Sequence, residues 1–223
     1  MAHHRSPSRG RSPAILAAGA VGSLALALSV NGTLSAFTAQ ITNSTNTAAT
    51  GYLAMKETLL DSAGNATSTT CASNDGTSSS IATNSATCAS INTYGGTTAG
   101  LTPGGAPNVT KISLTNTGNV AAMNFTLSPG TCTATALSPN GGASTSAVCG
   151  KFKVTLSSGS TPIWSGTASA MPTSINLLTA LGAPSVAPGA SVPVSVSVQL
   201  DASADDTYSG FQVSQPLAWI FTA

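Results

Sequence analysis

Between Val192 and Leu200 every second residue is apolar: Val192, Val194, Val196, Val198 and Leu200 alternate with Pro193, Ser195, Ser197 and Gln199. Successive side chains of an extended strand point to opposite faces, so this period dictates a β-strand with one buried face and one wet face. The same beat recurs in Phe152, Val154 and Leu156, which alternate with Lys151, Lys153 and Thr155. Ala121, Met123, Phe125 and Leu127 alternate with Ala122, Asn124 and Thr126, and Val109, Ile112 and Leu114 read as a strand with one irregular step. Phe211, Val213, Leu217, Trp219 and Phe221 close the chain. Pro216 within that last run has no N–H for a ladder, which places the strand at an edge or gives it a bulge. Only Ser174 to Leu181 reads as helix: Thr173 or Ser174 could cap it, Leu177, Leu178 and Leu181 make one face, and Gly182 follows. Pro103-Gly104 and Pro188-Gly189 each precede a strand and suit type II turns, a shared device rather than a duplicated domain. The expected fold class is all-β, a jelly-roll-like antiparallel β-sandwich with one short helix.

A different pattern precedes this body. All three arginines (Arg5, Arg9, Arg11) and both histidines (His3, His4) lie in the first eleven residues, and the 17 residues from Ala14 to Val30 are uncharged and Ala/Leu/Val/Gly-rich. A basic head leading into such a run is the layout of an export signal. As a retained anchor the run is short of the ~20 apolar residues that span a bilayer. Small residues at Gly32, Ser35 and Ala36 place the cut between Ala36 and Phe37. The expected organisation is a signal peptide over 1–36, an N-terminal strand and tether over 37–50, and a sandwich domain over 51–223. Residues 61–107, rich in Ser, Thr, Asn and Gly, read as a disulfide-pinned excursion from that domain.

Cleavage there removes every histidine and arginine, leaving four lysines against six acids, a net charge of −2. No basic patch remains for nucleic acid, and the membrane is met only through the signal segment before the cut. A surface so poor in charge repels its own copies weakly, which favours association. Cys71, Cys88, Cys132 and Cys149 are even in number, as a disulfide framework requires, and four allow three pairings. Two equal spacings of 17 residues favour Cys71–Cys88 and Cys132–Cys149 as local staples. A metal reading is weak, because no Cys-x-x-Cys and no histidine is available after residue 36.

The same scarcity argues against an enzyme. Serine and cysteine nucleophiles normally need a histidine to take the proton, and no His-Glu-x-x-His zinc motif occurs. Asp201, Asp205 and Asp206 form the one acidic cluster and are the sole, weak candidates for Ca²⁺. Their spacing lacks the regular ligand pattern of a calcium loop, so a solvated turn is the preferred reading. Trp164 and Trp219 sit in alternating apolar segments and belong to the core.

Several segments resemble the TasA/camelysin family of secreted bacterial matrix proteins. Gly32-Thr33-Leu34-Ser35-Ala36-Phe37 is similar to the family's cut site for a SipW-type signal peptidase. Ala49-Thr50-Gly51-Tyr52-Leu53 looks like the opening of its first body strand, and Asn116-Thr117-Gly118-Asn119 like its central turn. Tyr208-Ser209-Gly210 and Trp219-Ile220-Phe221-Thr222-Ala223 resemble its last two strands. The four cysteines, the 61–107 excursion and the low charge depart from the family pattern. The resemblance implies a jelly-roll subunit that polymerises by donor-strand exchange into extracellular or biofilm-matrix fibres. Metalloprotease activity has been attributed to camelysins, but the usual zinc ligands are absent here.

The residues themselves point the same way. Phe37, Ala39 and Ile41 fall on one face of an extended strand, with Thr38, Gln40 and Thr42 on the other, and Asn43 to Thr50 make a polar tether. A short amphipathic strand on a leader can add to a neighbour's sheet, exchanging backbone hydrogen bonds and burying alternate side chains. The expected partner is therefore another copy of the chain, with cell-wall or matrix components as further candidates. The rival expectation is a monomeric surface-binding module that uses the 61–107 excursion.

Overall fold

The computed structural model describes residues 47–48, 50–74, 84–96 and 100–223. The chain divides into two units, Met1–Ala49 and Thr50–Ala223, and the fold described is that of the second. Eleven strands are found among the described residues. They are β1 (Met55–Leu60), β2 (Ala66–Ala72), β3 (Asn108–Asn116), β4 (Asn124–Pro129), β5 (Thr133–Ala136), β6 (Phe152–Ser158), β7 (Thr161–Thr167), β8 (Ile175–Asn176), β9 (Ser191–Leu200), β10 (Phe211–Ser214) and β11 (Leu217–Thr222). Two helices of about one turn, α1 (Thr145–Val148) and α2 (Leu177–Leu181), interrupt them.

All pairing is antiparallel. Six strands form one sheet in the order β2-β1-β3-β9-β6-β7; facing it are β11-β4-β8 and the two-stranded β10-β5. One continuous core joins the two layers: Ile112, Leu114, Val154, Leu156, Val194, Val196 and Val198 from the large sheet pack with Phe125, Leu127, Ile175, Leu177 and Leu178 opposite. The protein is an all-β sandwich. Each large apolar side chain buried this way is worth about 1.5–3 kcal/mol against the chain entropy that folding removes.

The strand phases mostly follow the sequence, and the exceptions have local causes. β3 has no irregular step: Ile112 and Leu114 are fully buried, while Val109 faces out and is 53% exposed. Before β4 the alternation changes phase. Ala122, not Met123, is buried, and Met123 N–H donates to Thr222 O although Asn124 is the register partner of Thr222. Two residues against one is a bulge. The helix starts three residues later than the pattern suggests, because Ile175 pairs with Leu127 of β4 and Asn176 Oδ1 caps it by accepting from Thr179 N–H. Gly182 then ends it at φ +63°. Both Pro-Gly turns form as expected, with Gly105 N–H on Thr102 O and Ala190 N–H on Ala187 O, and with Gly104 at φ +66° and Gly189 at φ +76°.

The 61–107 segment is less of an excursion than its composition suggests. Ala66–Ala72 is strand β2, added to the edge of the large sheet beside β1. Its Ser/Thr content hid it, since threonine is β-branched and favours strands without adding apolarity. Both disulfides form in the favoured pairing, Cys71–Cys88 and Cys132–Cys149, and no cysteine among those described is free.

Candidate functional site: a groove beside an unpaired strand edge

The C-terminal strands define the site. β10 pairs with β5 and β11 with β4, so Phe211 to Thr222 run as one ribbon broken at Gln215-Pro216. Across the break the register shifts, and Gly130 N–H donates to Pro216 O over 2.8 Å. Pro216 thus lies both at an edge and at an irregularity, as its missing N–H requires. On its far side the ribbon has no strand partner among the described residues. Antiparallel ladders alternate bonded and non-bonded pairs. Because Pro216 faces Gly130 in a bonded pair, Ala218 and Ile220 turn their backbone groups to β4, while Leu217, Trp219 and Phe221 turn theirs to the open side. The side chains of Leu217, Trp219 and Phe221 are half-buried, and the Phe221 and Trp219 rings lie 4.8 and 6.2 Å from that of Phe125.

Beside this edge lies a groove of about 1680 Å³. Its floor is the inner face of the large sheet at Met55, Glu57, Leu114, Phe152, Val198 and Leu200. One wall is the β10–β11 ribbon, and the other comes from residues 84–94, tied to β2 through Cys71–Cys88. Small-molecule sites are typically about 300–1,000 Å³, so this groove exceeds what one small ligand fills.

Four polar contacts shape it. Tyr94 Oη donates to Gln215 Oε1 over 2.5 Å, and Gln215 Nε2 donates to Gly130 O and Ala168 O, so the 84–94 wall is pinned to the ribbon at its break. Burial pushes the Tyr94 phenol up to about 12. Asn84 Nδ2 donates to Leu53 O, but Asn84 Oδ1 is buried with no partner among the described residues. A buried acceptor left unsatisfied costs about 1–3 kcal/mol and marks a place where an incoming N–H would be gained.

The turn after β3 fixes where the body begins. Asn116 is fully buried, with Nδ2 donating to Val120 O and Val186 O while Oδ1 accepts from Gly118 N–H. Thr117 N–H and Asn119 N–H bond Ala54 O and Tyr52 O, and Tyr52 N–H bonds Asn119 Oδ1. A Cβ on Gly118 would run into Tyr52 O, so only glycine allows this approach. Residues 51–55 are thereby clamped at the rim of the groove, which they line.

Glu57 is the group that the sequence reading missed. It pairs in register with buried Leu114 of β3 and with Cys71 of β2, and so shares the inner face. It makes no hydrogen bond or ion pair with any described residue, and burial raises its carboxyl from 4.5 to about 7. The signal was present: Leu53, Met55 and Leu59 are apolar at alternate positions, and Glu57 occupies the same phase.

Of the residues singled out beforehand, Ala36, Phe37, Ala39 and Ile41 lie outside the described residues. Asp201, Asp205 and Asp206 do not converge on a common point. Ser203 N–H and then Lys153, at 2.9 Å, hold Asp201 well below the usual carboxylate range, and the side chain and backbone of Thr207 lower Asp205. Among the described residues no three His, Cys, Asp or Glu side chains are grouped as metal ligands. Trp164 and Trp219 are half-buried against the core. No protein-family model matches the chain, and no curated protein is significantly similar to it.

Proposed function

We propose that this chain is a TasA/camelysin-like secreted structural subunit, exported by cleavage between Ala36 and Phe37, which assembles into extracellular fibres. Residues 37–42 of one copy occupy the groove of the next, adding a strand to the open edge of β10–β11. No reaction is catalysed. The reading rests on one observation, an apolar groove of about 1680 Å³ running beside a strand edge whose backbone groups have no strand partner among the described residues. Exposed edges of this kind are normally blunted or covered. An added strand would take up the N–H and C=O groups of Leu217, Trp219 and Phe221, and would lower alternate side chains onto the floor. Burying Phe37 and Ile41 there contributes about 1.5–3 kcal/mol each before the ordering of the leader is counted.

The test compares the exported chain with a variant lacking residues 37–42, using negative-stain electron microscopy and sedimentation. The exported chain should form filaments, and the deletion variant should stay a folded monomer with an unchanged melting profile. Filaments of equal length and number from both would refute strand exchange.

A further inference from the structure

The floor of the groove carries a charge that its surroundings do not answer. Glu57 lies on the inner face between Cys71 and Leu114, beside Met55, and borders the cavity without a hydrogen-bond or ion-pair partner among the described residues. The other titratable side chains facing that cavity among the described residues are few. From residues 51–52 comes Tyr52, and from the 84–94 wall Tyr94, whose hydroxyl is engaged by Gln215. Cys71 and Cys88 are joined to each other. From the segment before β10 come Asp205, Asp206 and Tyr208; Thr207 occupies Asp205, and Lys151 stacks over the Tyr208 ring at 5.1 Å. No lysine borders the groove among the described residues. Lys56 and Thr58 neighbour Glu57 in β1 and point to the opposite face.

An occupant that places an apolar face on this floor strips the remaining water from a carboxyl that has no cation to meet it. Desolvation without a counter-charge disfavours the ionised form, so the covered carboxyl holds its proton more tightly than the open one. We infer that Glu57 is the selective residue of the groove: filling it with an uncharged apolar strand takes up one proton from solvent at Glu57, so assembly is acid-favoured and lost in alkali. This rests on the strand-exchange reading above and adds to it the chemistry that the floor accepts. Protonation converts the carboxylate to a neutral carboxyl and needs no other reactant. The raised proton affinity of the open groove places the response near neutrality. It also means that a strand bearing a positive charge at this point would follow the opposite pH dependence.

The experiment measures the critical concentration for assembly of the exported chain by sedimentation from pH 6 to pH 8.5, for the native sequence and for Glu57→Gln. Native chains should need at least tenfold more protein at pH 8.5 than at pH 6, since linkage to one proton has a limiting slope of tenfold per pH unit. The Glu57→Gln chain, with a neutral isostere, should assemble at every pH within about twofold of the native acid value. A free α-amino group titrates at about 7.7–8.0, so a dependence kept in full by Glu57→Gln belongs to that group and overturns the inference. A critical concentration flat with pH, or one that falls as pH rises, also overturns it while leaving strand exchange intact. No assembly at any pH by either chain refutes strand exchange itself, and this inference with it. A pH-stat measurement on native chains needs no variant: close to one proton should be consumed per subunit assembled at pH 8, and none refutes the coupling.

Discussion

In the middle of β9 and β6 the inner face of the large sheet is dry, with Val194, Val196, Val154 and Leu156 at most 1% exposed. Along β1 of the same sheet Met55, Glu57 and Leu59 are only half-buried. Both stretches alternate, both pair on two sides, and both face the same interior. They differ in what lies opposite. β4, β8 and α2 bring Phe125, Leu127, Ile175, Leu177 and Leu178 down onto the first stretch. The second meets a groove bounded by the 84–94 wall and a ribbon whose far edge has no strand partner among the described residues. Alternation sets which side chains point inward, but a facing layer decides whether that side is dry. Thus the sandwich is closed at one end and open at the other, and Glu57, the carboxyl on the inner face of β1, stands in the open part.

The largest expected effect separates the two stretches directly. Leu156→Ala removes a side chain that is 1% exposed, and should cost about 2–5 kcal/mol through lost transfer energy and the cavity left behind. Met55→Ala, at the groove, should cost under about 1 kcal/mol, because water already reaches the site it vacates. Urea denaturation of both variants measures this. Equal losses would mean that the β1 stretch is packed as tightly as β6, and the contrast would fail.

How much of this could be read from the sequence depends on how local its cause is. β9 and β6 are legible because valine and leucine alternate without interruption, and the place of Pro216 follows from its missing N–H. The disulfide pairing was legible from the two equal spacings. β2 was not, since Thr67, Thr69 and Cys71 line up in period two without the apolarity that marks a strand. The phase change at Met123 was hidden because it depends on Thr222, about a hundred residues away along the chain. The groove was illegible for the same reason. Its floor, wall and edge come from β1, residues 84–94 and β11, and only the folded body sets them side by side. The proposed donor strand, by contrast, was drawn entirely from the sequence.

A middle-sized effect probes the open stretch through pH. Burial raises the Glu57 carboxyl from 4.5 to about 7, so the native state binds this proton more tightly than the unfolded chain does. Stability from this group is then fully present below about pH 4.5, and is lost as pH rises through 7. The expected loss is roughly 1–3 kcal/mol, because the water in the groove screens part of the effect. Asp61, Asp201 and Asp205 act in the opposite sense and in another window, since their lowered values contribute above 3.8 and are lost in acid. Thermal melts of unassembled protein between pH 5 and pH 8 should therefore decline for the native chain and stay level for Glu57→Gln. Identical slopes would assign the decline elsewhere.

The smallest effect concerns the wall. Tyr94→Phe keeps the ring against the core but deletes the hydrogen bond to Gln215 Oε1, while Gln215 Nε2 keeps Gly130 O and Ala168 O. The global cost should be about 1 kcal/mol or less, since one hydrogen bond is lost and water can reach the freed amide oxygen from the groove. Its local consequence should be larger than its global one. Residues 84–94 are held by Cys71–Cys88, by Asn84 on Leu53 O, by Thr110 Oγ1 on Asn92 O, by Ile91 and Tyr94 packed on the core, and by this single hydrogen bond to the ribbon. Amide hydrogen exchange should accelerate across 84–94 and remain unchanged in β6 and β9, because segments with few buried contacts open independently of the core. Unchanged exchange in that segment would show that the remaining contacts suffice to hold the wall, and that the tyrosine hydroxyl does not couple it to the edge where a strand would dock.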